Sequence, residues 1–469
     1  MNHFHNAKII ATMGPAIDKE TVLSKVINNI DVFRINLSHG DEESKRKYID
    51  TILKLDSSKT IMLDTKGPEI RTRNKDEMLL TKGDTITIKY AEFFKQDDDV
   101  LFIDYPNMSR VDLWTIMSID SDAVKIEVTG NEDGILTGTI TRGGVILINR
   151  GVEFENYIPK LPFLSERDKK QIIRGIENRI NVIAMSYIRN KDNIHVIRGF
   201  LDEHGGHSVK IIAKIETREV LENIESVIEA SDGVIISREK LAVLVGKENV
   251  DETKFKIIKA CNLFGRPAII VTGLDITSND NSAVFDTIVE EIKAGTDAFL
   301  LTKETAVADD PLEVVVKLYD LINNPANKTS TSYLFKDVSY HEDHPITDYV
   351  IFNAYRASKE IEIKAIICPT ESGYTPARLS ALKPDVPVIA FTKNDQAYRY
   401  INLLRGVKGY KISSTFDYAN IKQIGKEIIR ILFKGSISLD DKILIVHSSL
   451  EQNAPHMINW FELYKFKDI

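Results

Sequence analysis

In the stretch KIIAKIE, residues 210–216, a lysine and a glutamate stand two positions apart, Lys214 and Glu216. Alternate residues of an extended chain share one face, so both side chains leave the strand on the same side. A cation and a carboxylate aimed into one cleft suit phosphoryl transfer, which needs positive charge on the moving group and an acid to hold a divalent metal. Taken alone, the pair reads better as a structural ion pair. Other short apolar runs also end in polar groups, however. VFRINL carries Arg34 and Asn36 and leads to Ser38 and His39, and IMLDT ends in Asp64 and Thr65, followed by Lys66. Ser186 and Arg189 lie at the end of NVIAMSY, Arg238 follows GVIIS, Thr272 follows AIIV, and Thr302 and Glu304 follow AFLL. Polar groups at so many strand ends favour chemistry over a rim ion pair.

The elements that would position these groups alternate regularly. Eight apolar runs, from KIIATM to AFLLTK, are separated by intervals of which all but one contain a helix-period segment such as DKKQIIRGIEN. Strand–helix alternation with strands apolar on both faces predicts a parallel sheet, and eight units predict a (β/α)8 TIM barrel, whose chemistry sits at the C-terminal strand ends. The exceptional interval follows the third run. DTITIKY, AVKIEVTG and ILTGTITRGGVILINRG alternate with period two between Gly-rich turns, which predicts an inserted all-β lid domain over residues 72–158. The barrel is expected over 1–71 and 159–330, a linker or arm over 331–345, and a C-terminal α/β domain of effector type over 346–469. Ser165 is the expected cap of the helix after the insertion.

Composition limits the function. Hydrophobic residues make up 43% and charged residues 28% of 469, the balance of an ordinary globular protein with more than one core. A net charge of -8 argues against a general nucleic-acid binder but leaves room for a basic pocket. Cys261 and Cys368, the two cysteines, lie in apolar stretches and read as buried thiols of a reducing compartment. MNHFHNAKIIATMG has no signal-peptide core and no run reaches membrane-span length, so a cytoplasmic location is expected.

The blocks KIIATMGPA, VFRINLSHGD, LDTKGPEIRT, LPFLSERD, IIAKIE, SDGVIISR and LLTKETA resemble, in order, the signature blocks of the pyruvate kinase family. The resemblance runs over nearly the whole chain, and PTESGYTPARLSALKP resembles the family's effector loop. It implies a glycolytic phosphotransferase acting between phosphoenolpyruvate and ADP, with pyruvate and ATP as products, Mg2+ (or Mn2+) and K+ as cofactors, and a homotetramer. It implies further that Arg34 and Lys214 act on the phosphoryl group and Thr272 on the pyruvate side. Arg71 and Arg150 would contact nucleotide. Glu216 would bind the divalent metal; Asn36, Ser38, Asp64 and Thr65 would bind the monovalent cation, with Glu69 as the acidic variant linked to potassium. Thr370, Ser372 and Gly373 would cradle an effector phosphate before a helix, or form an ordinary strand-to-helix turn.

The chain departs from that pattern at one wall. Where the family has Arg-Gly-Asp-Leu-Gly, this sequence has Arg238-Glu239-Lys240-Leu241-Ala242, in a turn after the sixth strand. Glu239 replaces the glycine that meets the substrate carboxylate, and Lys240 replaces the second metal ligand. Tyr105, Arg150, Gly273 and Thr302-Lys303 are further departures. Lys240 either repels the metal, replaces it as a fixed cation, or pairs with Glu239, and Glu239 itself is an alternative carboxylate donor. Two readings follow, an active pyruvate kinase with an altered metal site and a silent homologue that binds ligand or scaffolds an oligomer. The retained groups favour the first.

Overall fold

The computed structural model describes residues 7–68, 70–120, 122–155, 157, 159, 161–272, 282–327, 344–412, 418–434, 436–448 and 459–469. Eight parallel strands close into a barrel: Lys8–Thr12, Val32–Asn36, Thr60–Asp64, Val182–Met185, Lys210–Ile215, Gly233–Ser237, Ala268–Val271 and Ala298–Leu301. Each pairs with its neighbour in chain order, and the first closes on the eighth with Lys8 opposite Ala298 and Ala11 opposite Leu301. Closure leaves no open edge, and Ile10, Val32, Met62, Ile212, Ile235 and Ile269 are all buried. Both faces of these strands are sealed, which is why they read as continuous apolar runs. Polar side chains have room only where the strands end.

Residues 67–165 pack as a unit of their own. They form a seven-stranded sheet and a two-stranded one, so the insertion is all-β as its alternation predicts. The longest strands, Val124–Glu132 and Ile135–Arg142, meet at Asp133-Gly134, with φ of 51° and 88°. A two-residue hairpin turn with both central φ angles positive favours an Asp-Gly pair. Tyr105 belongs to the core of this unit: it is fully buried, its hydroxyl is 2.9 Å from that of Tyr157, and its ring lies 5.8 Å from Phe154.

The C-terminal part is a five-stranded sheet in the order Val407–Lys411, Val388–Thr392, Ile363–Pro369, Lys442–Ser448 and Asn459–Lys465. Four strands are parallel, as the sequence suggests. The fifth is an antiparallel edge strand that the sequence reading lacks. Its Trp460, Phe461 and Leu463 are exposed, so it carries no buried apolar run to announce it. This sheet joins the barrel in one compact unit through polar anchors at the opposite, N-terminal ends of the barrel strands. Lys383 Nζ lies 2.7 Å from Asp297 Oδ1, and one Arg405 amino group donates to the carbonyls of Ile292 and Thr296 at 2.8 and 2.9 Å. Most of the expected linker, 331–345, falls outside the described residues; helix Pro345–Glu360 begins at its end.

Candidate functional site

Lys214 is the centre of the barrel mouth. Its Nζ lies 3.1 Å from Asp64 Oδ1 and 3.0 Å from Glu216 Oε1, and it donates to Ser186 Oγ at 2.9 Å. Strand pleating explains the arrangement: Lys214 and Glu216 share a face, and Asp64 and Ser186 end neighbouring strands on the same rim. Asp64 is shared. Its other oxygen accepts from Arg34 Nε at 2.6 Å, while Arg34 also donates to Thr12 Oγ1 at 2.9 Å. Burial alone would raise the Asp64 carboxyl, but Arg34 and Lys214 outweigh it and hold the group below its ordinary 3.8. Burial likewise works against the Lys214 ammonium, yet Asp64 and Glu216 hold its pKa above 10.5. Both groups stay charged at neutral pH.

The fourth strand leads into Tyr187, whose φ of 56° is left-handed and rare for a residue with a side chain. In that conformation the Tyr187 amide donates to Glu216 Oε2 at 3.2 Å. Both Glu216 oxygens are thus engaged. On the opposite wall, Thr272 Oγ1 donates to Glu304 Oε1 at 3.1 Å, and the other Glu304 oxygen accepts from the Thr302 amide and hydroxyl at 2.7 and 3.0 Å. Arg34, Lys214, Glu216, Thr272 and Glu304 all line one cavity of about 850 Å³.

The sixth strand does not end in the expected turn. Arg238 opens a helix, Arg238–Val245, whose Lys240 amide is capped by Ser237 Oγ at 3.5 Å. Serine before a run of helix formers is a start signal, and it outcompetes the turn. Glu239 is exposed and Lys240 half-buried, and both line the same cavity. Arg238 makes a two-point contact with Asp251 at 2.6 and 3.1 Å. Asp251 in turn meets Lys254 Nζ at 2.9 Å, and Lys254, almost wholly buried, reaches Glu291 Oε1 at 2.6 Å.

Residues 4–315 match the pyruvate kinase barrel domain, and residues 348–460 match the pyruvate kinase alpha/beta domain. The pyruvate kinase of Bacillus licheniformis is 30% identical over 479 residues, covering 98% of this chain and 80% of that one. The Debaryomyces hansenii pyruvate kinase is 32% identical over 420 residues, 86% of this chain and 83% of its own. The chain belongs to the pyruvate kinase family.

The residues that family resemblance singles out fall into four places. Arg34, Asp64, Lys214, Glu216, Glu239, Lys240 and Thr272 come together around the cavity. Asn36, Ser38 and Thr65 lie beside it: Asn36 pairs in register with Asp64, and Ser38 donates its amide to Asn36 Oδ1 at 3.0 Å. Arg71 and Arg150 belong to the β unit, where one Arg71 amino group donates to Asn149 O at 2.7 Å and Arg150 lies 3.6 Å from Asp120. Thr370, Ser372 and Gly373 precede helix Tyr374–Ala381, with the Gly373 amide bonded to Thr370 Oγ1 at 3.0 Å and the Tyr374 amide to Ser372 Oγ at 3.3 Å. These bonds tie the turn to itself before the helix, whose N-cap Gly373 has a left-handed φ of 84°. Glu69 and Gly273 lie outside the described residues.

The two cations the family implies fare differently. Asn36, Ser38, Asp64 and Thr65 offer neutral oxygens and one carboxylate in adjacent positions, with Asp64 Oδ1 also facing Lys214 Nζ at 3.1 Å. This set fits a monovalent cation. The divalent set does not fit. The resemblance assigns it one carboxylate, Glu216, and expects a second acid where this chain has Lys240, and no three His, Cys, Asp or Glu side chains gather as a metal cluster among the described residues. Sequence reasoning missed Asp64 as the bridge between Arg34 and Lys214, and Glu304 as the acceptor for Thr272. The strand-end rule finds both residues, but their partners come from other strands. Cys261 and Cys368 are fully buried, and burial pushes both thiols up, as inert core groups. No helix among the described residues is long and apolar enough to cross a membrane.

Proposed function

We propose that this chain transfers a phosphoryl group between phosphoenolpyruvate and ADP, giving pyruvate and ATP in glycolysis. One observation carries the reading: Lys214 and Arg34 both pair with a single buried carboxylate, Asp64, at the mouth of a barrel cavity. Two cations fixed in advance stabilise charge on a moving phosphoryl group without reorganising as the reaction proceeds. Asp64 and Glu216 keep Lys214 from collapsing onto other groups. Thr272, whose hydroxyl is already bonded to Glu304, is the group placed to exchange a proton with the enolate of pyruvate.

Asn36, Ser38, Asp64 and Thr65 would hold K+, whose fixed charge would add to that of Arg34 near the phosphoryl oxygens. Arg71 and Arg150 are the nucleotide contacts on the β unit. Thr370, Ser372 and Gly373 are the effector loop, and the assembly is a homotetramer in the cytoplasm. Family membership supports each of these assignments. The test is pyruvate formation coupled to NADH oxidation by lactate dehydrogenase, with K+ against Na+ and a Mg2+ and Mn2+ series. Absence of NADH oxidation under every condition refutes the reading.

A second reading, a silent homologue that binds its ligand without turnover, is favoured by one departure of the sequence, Lys240 where the family resemblance expects an acidic metal ligand. Phosphoenolpyruvate binding without pyruvate formation would single it out.

A further inference from the structure

The wall helix Arg238–Val245 opens on a cation. A positive charge is disfavoured in the first turn of a helix, where the backbone dipole is itself positive. Arg238 is held there by a carboxylate from outside the helix. Its two amino groups meet both oxygens of Asp251, at 2.6 and 3.1 Å. A two-point contact of this kind fixes the plane of the guanidinium as well as its place. Asp251 is in turn anchored from within. It lies in the first turn of helix Val250–Phe264, where a negative charge is favoured, and its Oδ1 also accepts from Lys254 Nζ at 2.9 Å. Lys254, almost wholly buried, is tied to Glu291 Oε1 at 2.6 Å, on helix Ser282–Ala294. Four charges that alternate in sign thus lead from the interior to the cavity wall.

Stability does not account for the outer half of this chain. Asp251 is exposed, and exposed ion pairs contribute little to folding. What the outer pair supplies is orientation, and it does so beside the site. Ser237, Arg238, Glu239 and Lys240 line the cavity next to Glu216 and Thr272, whereas Asp251 does not line it. The lining is rich in acid, with Asp64, Glu216, Glu239 and Glu304 among its members. A guanidinium released from Asp251 would be drawn toward those carboxylates and into the space a ligand needs.

We infer that Asp251 is a positioning residue, which keeps Arg238 and the first turn of the wall helix where the cavity can receive phosphoenolpyruvate. The inference rests on the substrate class proposed above. It concerns binding alone, so it applies to an enzyme that turns over and to a silent homologue alike.

The experiment is calorimetric titration of the full chain with phosphoenolpyruvate, in K+ and Mg2+ buffer without ADP, paired with urea unfolding. Asp251→Asn keeps the shape and loses the charge. It should weaken binding about 10-fold while the urea midpoint stays close to that of the wild type. Asp251→Glu restores a carboxylate and should bring the affinity back to within about threefold. In an Arg238→Met background Asp251→Asn should cost nothing further, because both changes break the same contact. A full additional loss in that background would show that Asp251 acts by another route, and overturns the inference. Wild-type affinity in Asp251→Asn overturns it too. So does a weakening that comes with a lowered urea midpoint and is not reversed by Asp251→Glu, which would make the role structural. A wild-type chain that binds no phosphoenolpyruvate defeats the substrate reading itself, and the inference with it.

Discussion

Replacing Lys214 by alanine removes an ammonium 3.1 Å from Asp64, 3.0 Å from Glu216 and 2.9 Å from Ser186. Stripping one partner from a buried ion pair costs about 3–5 kcal/mol when the remaining charge is left alone. Neither carboxylate is left alone in this site. Asp64 keeps Arg34 at 2.6 Å, and Glu216 keeps the Tyr187 amide at 3.2 Å. The loss of folding stability is therefore expected at the lower end, about 3 kcal/mol. Turnover should suffer separately, falling roughly 10²–10³-fold for loss of a group that stabilises transition-state charge. Urea unfolding reads the first effect and the lactate-dehydrogenase-coupled assay the second. Acid denaturation gives a third handle. Asp64 has a depressed carboxyl, so its stabilising share is present above its ordinary 3.8 and lost as pH falls through the lower folded value. Without Lys214 that depression is smaller, and the loss should begin at higher pH. A folded variant that turns over at the wild-type rate would refute the assignment of Lys214 to the chemistry. An unchanged urea midpoint with an unchanged acid limb would refute the ion-pair geometry.

Lys240→Asp exchanges a repelling charge for an oxygen donor and should tighten Mn2+ binding roughly 10–100-fold, read by calorimetry in the presence of a pyruvate analogue; equal affinity would show that Lys240 does not face the metal's place. Lys254→Met leaves Glu291 buried without its 2.6 Å partner and should destabilise by about 3–5 kcal/mol, most of it recovered in Lys254→Met with Glu291→Leu; a midpoint shift no larger than that of a surface substitution would contradict this. Burial opposes the Asp232 charge, but Lys210 and Arg266 hold its carboxyl below 3.8, so its stabilisation is lost as pH falls through that lower value. Asp232→Asn should flatten the dependence of urea midpoint on pH in that acid range, and an unaltered slope would count against it. Light scattering should give a tetramer mass, whereas 53.0 kDa, one chain, would exclude it.

The barrel was legible because its strands are buried on both sides, which leaves an unbroken apolar signature with polar residues only at the exits. Lys214 and Glu216 were legible for the same reason, since period two is a property of the strand itself. What escaped depends on distance along the chain. Asp251 holds Arg238 from 13 residues away on another helix, and Asp64 meets Lys214 across the barrel mouth. Neither contact has a local pattern. Tyr105 is a different case: the sequence marks it only as a departure from the family pattern, while burial among Phe154 and Tyr157 makes it core. The start of helix Arg238–Val245 was within reach, because Ser237 is a good cap, but the glycine-rich family pattern drew attention to a turn.

The pairing of the first barrel strand with the eighth also sets a timetable for synthesis. Lys8–Thr12 cannot complete its pairing until Ala298–Leu301 has left the ribosome, and Lys8 bonds to Val407, 399 positions away. Residues 67–165 carry a nearly self-contained set of strand pairings and can fold as soon as they emerge. At roughly 5–20 residues per second, the first strand waits about 15–60 s for its last partner, a long exposure for an apolar segment. A ribosome that stops before residue 298 therefore releases a β unit able to fold, tethered to a barrel that is not.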